Sequence, residues 1–186
     1  MTTASTLKDQ PTLKAVKTAF PDATLSATEF RGDITLVVQP GDLHAVCAFL
    51  RDNAQTKFTF LSDVAGLDYL EYPAKQPGRF AVVYNLLNTD MTERFYVKVY
   101  LDPSLPTDGT AEDPSLVVDS VCDLWPGAEW MEREVYDMFG IRFANHPDLR
   151  RILLWKDYPA HPLRKDYPLR GRSEREMYKI IDRTTT

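Results

Sequence analysis

The sequence is short of the residues that build cofactor and metal centres. It has two cysteines, Cys47 and Cys122. That is too few, too far apart, for a disulfide framework, an iron–sulfur ligand set or a zinc quartet, so both are expected to be buried thiols. The patterns G-x-x-x-x-G-K-[ST], G-x-G-x-x-G, H-E-x-x-H and G-x-S-x-G are all missing, so phosphate-loop, dinucleotide, zincin and hydrolase readings lack their signatures. No apolar run approaches the roughly 20 residues that a membrane-spanning helix requires; Phe80 to Leu87 is among the longest. The opening MTTASTLKDQ carries neither a basic segment followed by an apolar stretch nor an Arg-rich amphipathic pattern, which makes a bacterial-type cytoplasmic compartment the default expectation. There is no internal repeat and no low-complexity tract.

What is present reads as a folded domain with a tail. Hydrophobic residues make up 44% and charged residues 26% of 186, ordinary globular usage that excludes a disordered chain. The net charge of −5 is unevenly spread: residues 142–172 hold eight Lys and Arg against three Asp, leaving 14 against 24 elsewhere. An acidic body therefore carries a basic arm, and such an arm points to an acidic partner surface, nucleic acid or anionic lipid. The overall pI of about 5.2 weighs against nucleic acid.

The periodicities predict an α+β two-layer domain with a mixed β-sheet and packed helices over residues 1–140. A helix is expected at 12–20, then a hairpin with strands at 24–30 and 33–39 around Arg31-Gly32. The tripeptide Arg31-Gly32-Asp33 spells an adhesion motif but is read as that turn. Pro40-Gly41-Asp42 caps a helix with the stripe Leu43, Val46, Cys47 and Leu50; strands follow at 57–61, 80–88 and 93–101. The stretch 102–113 is an exposed, mobile loop. Pro114 opens a helix with Leu116, Val117, Val121 and Leu124 inward, and a second helix runs over 128–139 to a left-handed cap at Gly140. From 141 to 186 four prolines up to Pro168 predict an extended basic arm. Its Ile152, Leu153, Leu154, Trp155, Leu163 and Tyr167 need cover from the body or a neighbour. Ser173 and Glu176 form a capping box for a short terminal helix from 174 to about 182.

Chemistry is most conceivable on the 128–139 helix. Glu129, Arg133 and Asp137 recur at four-residue spacing and are expected to pair as ions. Glu134 and Asp137 share a face, and His146 could join them as a metal or acid–base set. Arg133 opposes that reading, because a neighbouring cation lowers carboxylate pKa values. His44 and His161 are read as packing or structural residues.

Residues 130–168 read together resemble a known family. Glu132-Arg133-Glu134-x-x-Asp137-Met138-Phe139-Gly140-Ile141-x-Phe143-x-x-His146-Pro147-Asp148-Leu149-Arg150-Arg151-Ile152-Leu153-Leu154, followed by His161-Pro162-Leu163-Arg164-Lys165-Asp166-Tyr167-Pro168, is similar to the signature of the 30-kDa subunit family of respiratory complex I, the NADH-quinone oxidoreductases. The resemblance implies a peripheral, non-catalytic subunit at the cytoplasmic face of the bacterial inner membrane, scaffolding the quinone-reducing module. It implies no cofactor on this chain, with FMN, iron–sulfur clusters, NADH and quinone handled by other subunits. It also implies an arm that wraps the large quinone-site subunit, with Arg150, Arg151, Arg164 and Lys165 available for carboxylates there. Rival readings are the equivalent subunit of a membrane-bound hydrogenase or other-donor complex, a metal-dependent hydrolase using Glu134, Asp137 and His146, and a nucleic-acid binder.

Overall fold

The computed structural model describes residues 10–174 apart from Gly109 and Ser173. Helix α1 (Pro11–Ala19) starts at a proline whose missing N–H costs nothing there, and the Gln10 side chain accepts from the Leu13 amide at 2.8 Å. The hairpin follows as β1 (Ser26–Phe30) and β2 (Asp33–Val38), paired antiparallel. Arg31 and Gly32 have φ of 56° and 92°. Two successive positive values make the type I′ turn that matches strand twist, so the tripeptide serves the turn. A 3-10 turn, Pro40–Asp42, runs into α2 (Leu43–Asp52), which buries Leu43, Val46, Cys47 and Leu50 as expected. Asp42 makes no side-chain cap bond; its backbone is already helical, so the preceding turn supplies the entry.

Strands β3 (Phe60–Asp68), β4 (Phe80–Asn88) and β5 (Glu93–Leu101) complete a sheet of order β1-β2-β5-β4-β3. Strands β2 and β5 run parallel and the other neighbours antiparallel, so the sheet is mixed. Period-two alternation puts Leu36, Val38, Val82, Tyr84, Leu86, Phe95, Val97 and Val99 on one face, all buried beneath the helices. On the other face Val37, Val83, Asn85, Tyr96 and Lys98 are half-buried with no helical layer over them among the described residues. The fold is thus α+β in two layers.

Strand β3 begins and ends later than the expected 57–61. Its register shifts between Leu61 and Asp63, and Gly66 interrupts its apolar pattern, so alternation alone does not reveal it. Gly66 is there for packing: a Cβ would lie 2.4 Å from the Phe139 ring of α3 (Ala128–Phe139).

The helix expected from Pro114 is not formed. Residues Val117–Asp119 make strand β6, parallel to β7 (Arg142–Ala144), with flanking bonds from the Arg142 amide to the Leu116 carbonyl and from the Ser120 amide to the Ala144 carbonyl, both 2.8 Å. Leu116, Val121 and Leu124 are buried as expected, but Val117 is only half-buried. The β-branched Val117-Val118 pair suits a strand, and a partner 25 residues downstream is invisible to local periodicity.

Helix α3 and its cap match expectation: Gly140 has φ 73° and donates to the Tyr136 carbonyl at 2.8 Å. The 102–113 loop is exposed but stitched down. Buried Asp113 accepts from the Ser104, Leu105 and Ser115 amides at 2.7–2.8 Å. The capping box and terminal helix expected after residue 172 lie outside the described residues, except for Glu174.

The Gly66 packing gives a paired prediction. Gly66→Ala should destabilise the chain by about 1–3 kcal/mol in urea unfolding, because its Cβ would force the Phe139 ring or the strand to shift. Gly127→Ala, where a Cβ meets nothing within 4 Å and φ is −63°, should leave stability unchanged or raise it by up to about 1 kcal/mol.

Candidate interaction site

The segment after Gly140 has little repetitive structure to satisfy its backbone, so side chains from the body must do so. Asp137, buried on α3, does most of this. Its Oδ2 accepts from the amides of Ile152, Leu153 and Leu154 at 2.8–3.0 Å, and its Oδ1 from Arg151 Nη1 at 2.6 Å. Successive amides around one oxygen form an anion nest. Burial works against the charge, but the Leu154 amide, Arg151 and the Leu153 and Ile152 amides outweigh it and hold the carboxyl below its ordinary pKa. Arg151 Nη2 also donates to the Tyr158 and Ala160 carbonyls, both at 2.9 Å. Arg133 reaches the Arg150 and Arg151 carbonyls at 3.1 Å. The ion pairs expected along α3 between Glu129, Arg133 and Asp137 are therefore replaced: Arg133 and Asp137 turn to the arm, whose bare backbone groups outbid a solvent-weakened helix-face pair.

The C-terminal end of α3 is closed by the arm. Arg164 Nε donates to the Phe139 carbonyl at 2.7 Å and its Nη1 to the Thr107 carbonyl at 3.0 Å. A guanidinium there complements the helix dipole and fills orphan carbonyls. Gly140 is required twice, since a Cβ would lie 2.3 Å from Arg164 Nη2 and 2.6 Å from His161 Nε2. His161 Nδ1 bonds the Asp137 carbonyl at 2.9 Å. Burial, then the nearby Arg164 and Arg151, push its pKa down to about 4 against the Asp137 carbonyl's upward pull. Farther along, Arg79 bridges Asp68 and Asp166 at 3.0 Å each, and the Lys165 amide donates to Asp68 at 2.8 Å.

The arm is thus a string of turns folded against its own body. Ala160, His161 and Arg164 are buried. Of the four cations expected to face a neighbour, Arg151 and Arg164 point inward, while Arg150 and Lys165 are exposed. Arg150 pairs with Asp148 at 2.8 Å. Apolar side chains take the opposite course. Leu153 is 61%, Leu163 52% and Leu169 fully exposed, and Trp130 on α3 is 60% exposed. Beside them Leu154, Trp155, Tyr158, Pro162 and Tyr167 line an open groove of about 420 Å³. Its wall is ordered by the edge-on Trp155–Tyr158 contact, centroids 4.6 Å apart, and by a 2.6 Å bond between the Tyr158 and Tyr167 hydroxyls. Pro147 and Pro168 sit exposed at turns.

The signature residues Glu132, Glu134 and His146 separate. Glu134 is exposed, so Glu134, Asp137 and His146 are not brought together. Glu132 instead points into the core, accepting from Ser120 Oγ at 2.6 Å, the Val121 amide at 2.9 Å and Cys122 Sγ at 3.4 Å. Burial raises its pKa despite these donors. His146 Nε2 lies 4.0 Å from Glu132 Oε2 and bonds the Glu129 carbonyl at 3.0 Å, while its Nδ1 accepts from the Asp148 amide. Cys122, half-buried, completes a group with Glu132 and His146 that sequence reasoning missed, because the three residues sit on different elements. The anchoring roles of Asp68 and Arg79 were also missed; neither lies in the signature.

Comparison with known proteins covers nearly the whole chain. Residues 36–173 match the family described as the 30 Kd subunit of respiratory-chain NADH dehydrogenase. An NADH-quinone oxidoreductase subunit of Geotalea uraniireducens is 42% identical over 160 residues, 86% of this chain and 87% of the relative. The Citrifermentans bemidjiense protein of the same name is 44% identical over 164 residues, 88% and 91% of the two chains. Among solved structures, the trypsin-resistant fragment (1-134) of Nqo5 is 33% identical with a TM-score of 0.58, covering 74% of this chain and 96% of that one. A chain of an archaeal membrane-bound sulfane sulfur reductase shares the fold at a TM-score of 0.64 and 23% identity, covering 92% and 91%.

Two predictions test the anchor. Asp137→Asn leaves Arg151 buried without its anion and should cost about 3 kcal/mol in chemical unfolding. His161 is held neutral in the fold, whereas in the unfolded chain it titrates near its ordinary value of 6.5. The unfolded state therefore binds more protons between these values, and stability falls as pH drops from 6.5 to about 4. His161→Gln should flatten that part of the pH–stability profile.

Proposed function

Since the chain belongs to the family of the 30 Kd subunit of respiratory-chain NADH dehydrogenase, we propose that it is a non-catalytic scaffold of the quinone-reducing module, packing on the large quinone-site subunit through the outer surface of its arm. The observation that carries this reading is the division of labour along the arm. Its polar anchors Arg151, His161 and Arg164 turn inward and set the shape, while Leu153, Leu163 and Leu169 stay in water beside an aromatic groove. A surface held in place with its apolar groups outward is preorganised for a partner, because little ordering entropy is left to lose on docking. Arg150 and Lys165 at its margin suit carboxylates on that partner.

In this reading FMN, iron–sulfur clusters, NADH and quinone are bound by other subunits, and the chain reaches the cytoplasmic face of the inner membrane through the complex. No helix among the described residues is long and apolar enough to cross a membrane. The signature positions divide accordingly. Arg133, Asp137, Phe139, Gly140, Arg151, Arg164 and Asp166 build the arm–body junction, and Glu132 lies in the core with His146 4.0 Å away. Glu134, Pro147, Arg150, Leu163, Lys165, Tyr167 and Pro168 supply the docking surface. The equivalent subunit of a hydrogenase or other-donor complex would use the same surface, and the electron-donor subunits recovered with the chain separate the two.

The direct test is co-expression with the large quinone-site subunit. Truncation after Gly140 should abolish co-elution, but it also removes β7. The cleaner variant is Leu153→Asp with Leu163→Asp, both at exposed positions. Its unfolding midpoint should match wild type, whereas binding to the large subunit should weaken at least about 30-fold, as for loss of one interface hot spot. Undiminished co-elution of this variant would overturn the docking surface.

A further inference from the structure

Apart from the docking surface, the body holds a second constellation, and we propose that Cys122, Glu132 and His146 form a binding site for a borderline-soft divalent cation of the zinc type. The donor atoms of these three side chains lie within 4.8 Å of one another. Tetrahedral Zn²⁺ with its usual bond lengths needs ligand-to-ligand separations of roughly 3.3–3.6 Å. The Cys122 Sγ to Glu132 Oε2 distance of 3.4 Å already meets this, and the 4.0 Å from Glu132 Oε2 to His146 Nε2 is a small rotation away. The sulfur, nitrogen and oxygen mixture suits a borderline-soft ion and excludes calcium or magnesium, which take oxygen donors.

A second observation comes from the sheet. Tyr84 is fully buried on β4, its hydroxyl has no hydrogen-bond partner among the described residues, and the Glu132 carboxylate acts on it electrostatically. An orphaned hydroxyl in the core is costly, and a metal-bound water in the fourth position would give it a partner. Thiolate, carboxylate and neutral imidazole together balance a divalent charge, so the occupied site is neutral in its low-dielectric surroundings. Cys122 is partly exposed and provides the way in.

Occupation requires defined proton movements. Without metal, the Asp148 amide donates to His146 Nδ1, so Nε2 carries the ring proton and gives it to the Glu129 carbonyl. On binding, the Cys122 S–H bond breaks and its proton leaves to solvent. The imidazole proton moves to Nδ1 as the Asp148 amide lets go, and Nε2 turns from the Glu129 carbonyl to the ion. The two hydrogen bonds of the His146 ring and the one from Cys122 Sγ to Glu132 are exchanged for three metal–ligand bonds. The coordinating thiol is deprotonated by the ion, since the thiolate is the ligand. Affinity therefore climbs with pH. Ser120, whose hydroxyl bonds Glu132, keeps that carboxylate oriented toward the ion.

The test uses the untagged full-length chain, titrated with Zn²⁺ by calorimetry in buffers of differing ionisation enthalpy and with Co²⁺ as a spectroscopic probe. One equivalent should bind with release of at least one proton, Co²⁺ should show a thiolate charge-transfer band and tetrahedral d–d absorption, and Zn²⁺ should raise the melting temperature. Cys122→Ser should abolish the charge-transfer band and weaken binding more than tenfold. His146→Gln, as the second variant, should also weaken it more than tenfold. His44→Gln, which breaks the exposed pair with Asp123 beside the site, should change nothing. Absence of saturable binding would overturn the site. So would binding that survives both Cys122→Ser and His146→Gln, or binding that His44→Gln removes.

Discussion

The architecture of this chain hangs on one buried carboxylate. Asp137 gathers three consecutive amides and a guanidinium from a segment that forms neither helix nor strand. Irregular backbone does not satisfy its own amides and carbonyls, and water can do so only where the segment stays on the surface. The α3 side chains act as that missing partner: Asp137 takes the amides, and Arg133, joined by Arg151 of the arm, supplies donors for the carbonyls. Irregular backbone thereby gains a fixed path without regular secondary structure.

Fixing that path decides which side of the arm faces out. With 152–154 turned onto Asp137 and Arg164 drawn under the end of α3, Arg151 and Arg164 are committed inside while Leu153, Leu163 and Leu169 are left outside. For these side chains the usual inside–outside rule is inverted, which is the observation behind the proposed docking surface. Two separate observations support that proposal. One comes from similarity along residues 36–173, the other from the cost of leaving Leu153, Leu163 and Leu169 in water.

Much of the body was legible locally. The β4 and β5 limits, the hairpin turn at Arg31-Gly32 and the α3 cap at Gly140 each rest on contiguous residues whose pattern carries the signal. What failed depended on distant partners. Val117–Asp119 is a strand because Arg142–Ala144 lies beside it, and β3 is masked by a register shift and by a glycine whose reason is the Phe139 ring. The α3 charges were read as pairing with one another because helical spacing allows it. The competing bidders, bare amides and carbonyls 14 to 18 residues away, have no signature of their own.

The sequence by itself determined the class of the chain: an α+β body, a basic proline-rich arm, and a signature from Glu132 to Pro168 dense enough to name a family. Composition, period and motif are properties of neighbouring residues, and all three could be read without coordinates. Tertiary structure alone decided which way each signature residue faces. Arg151 and Arg150 are adjacent, yet one is committed to the buried Asp137 carboxylate and the other to solvent. Glu132 and Glu134 are two apart, yet one lies in the core against Ser120 and Cys122 and the other on the surface. Orientation depends on which distant groups need a hydrogen-bond partner once the chain has closed, and that demand exists only in three dimensions.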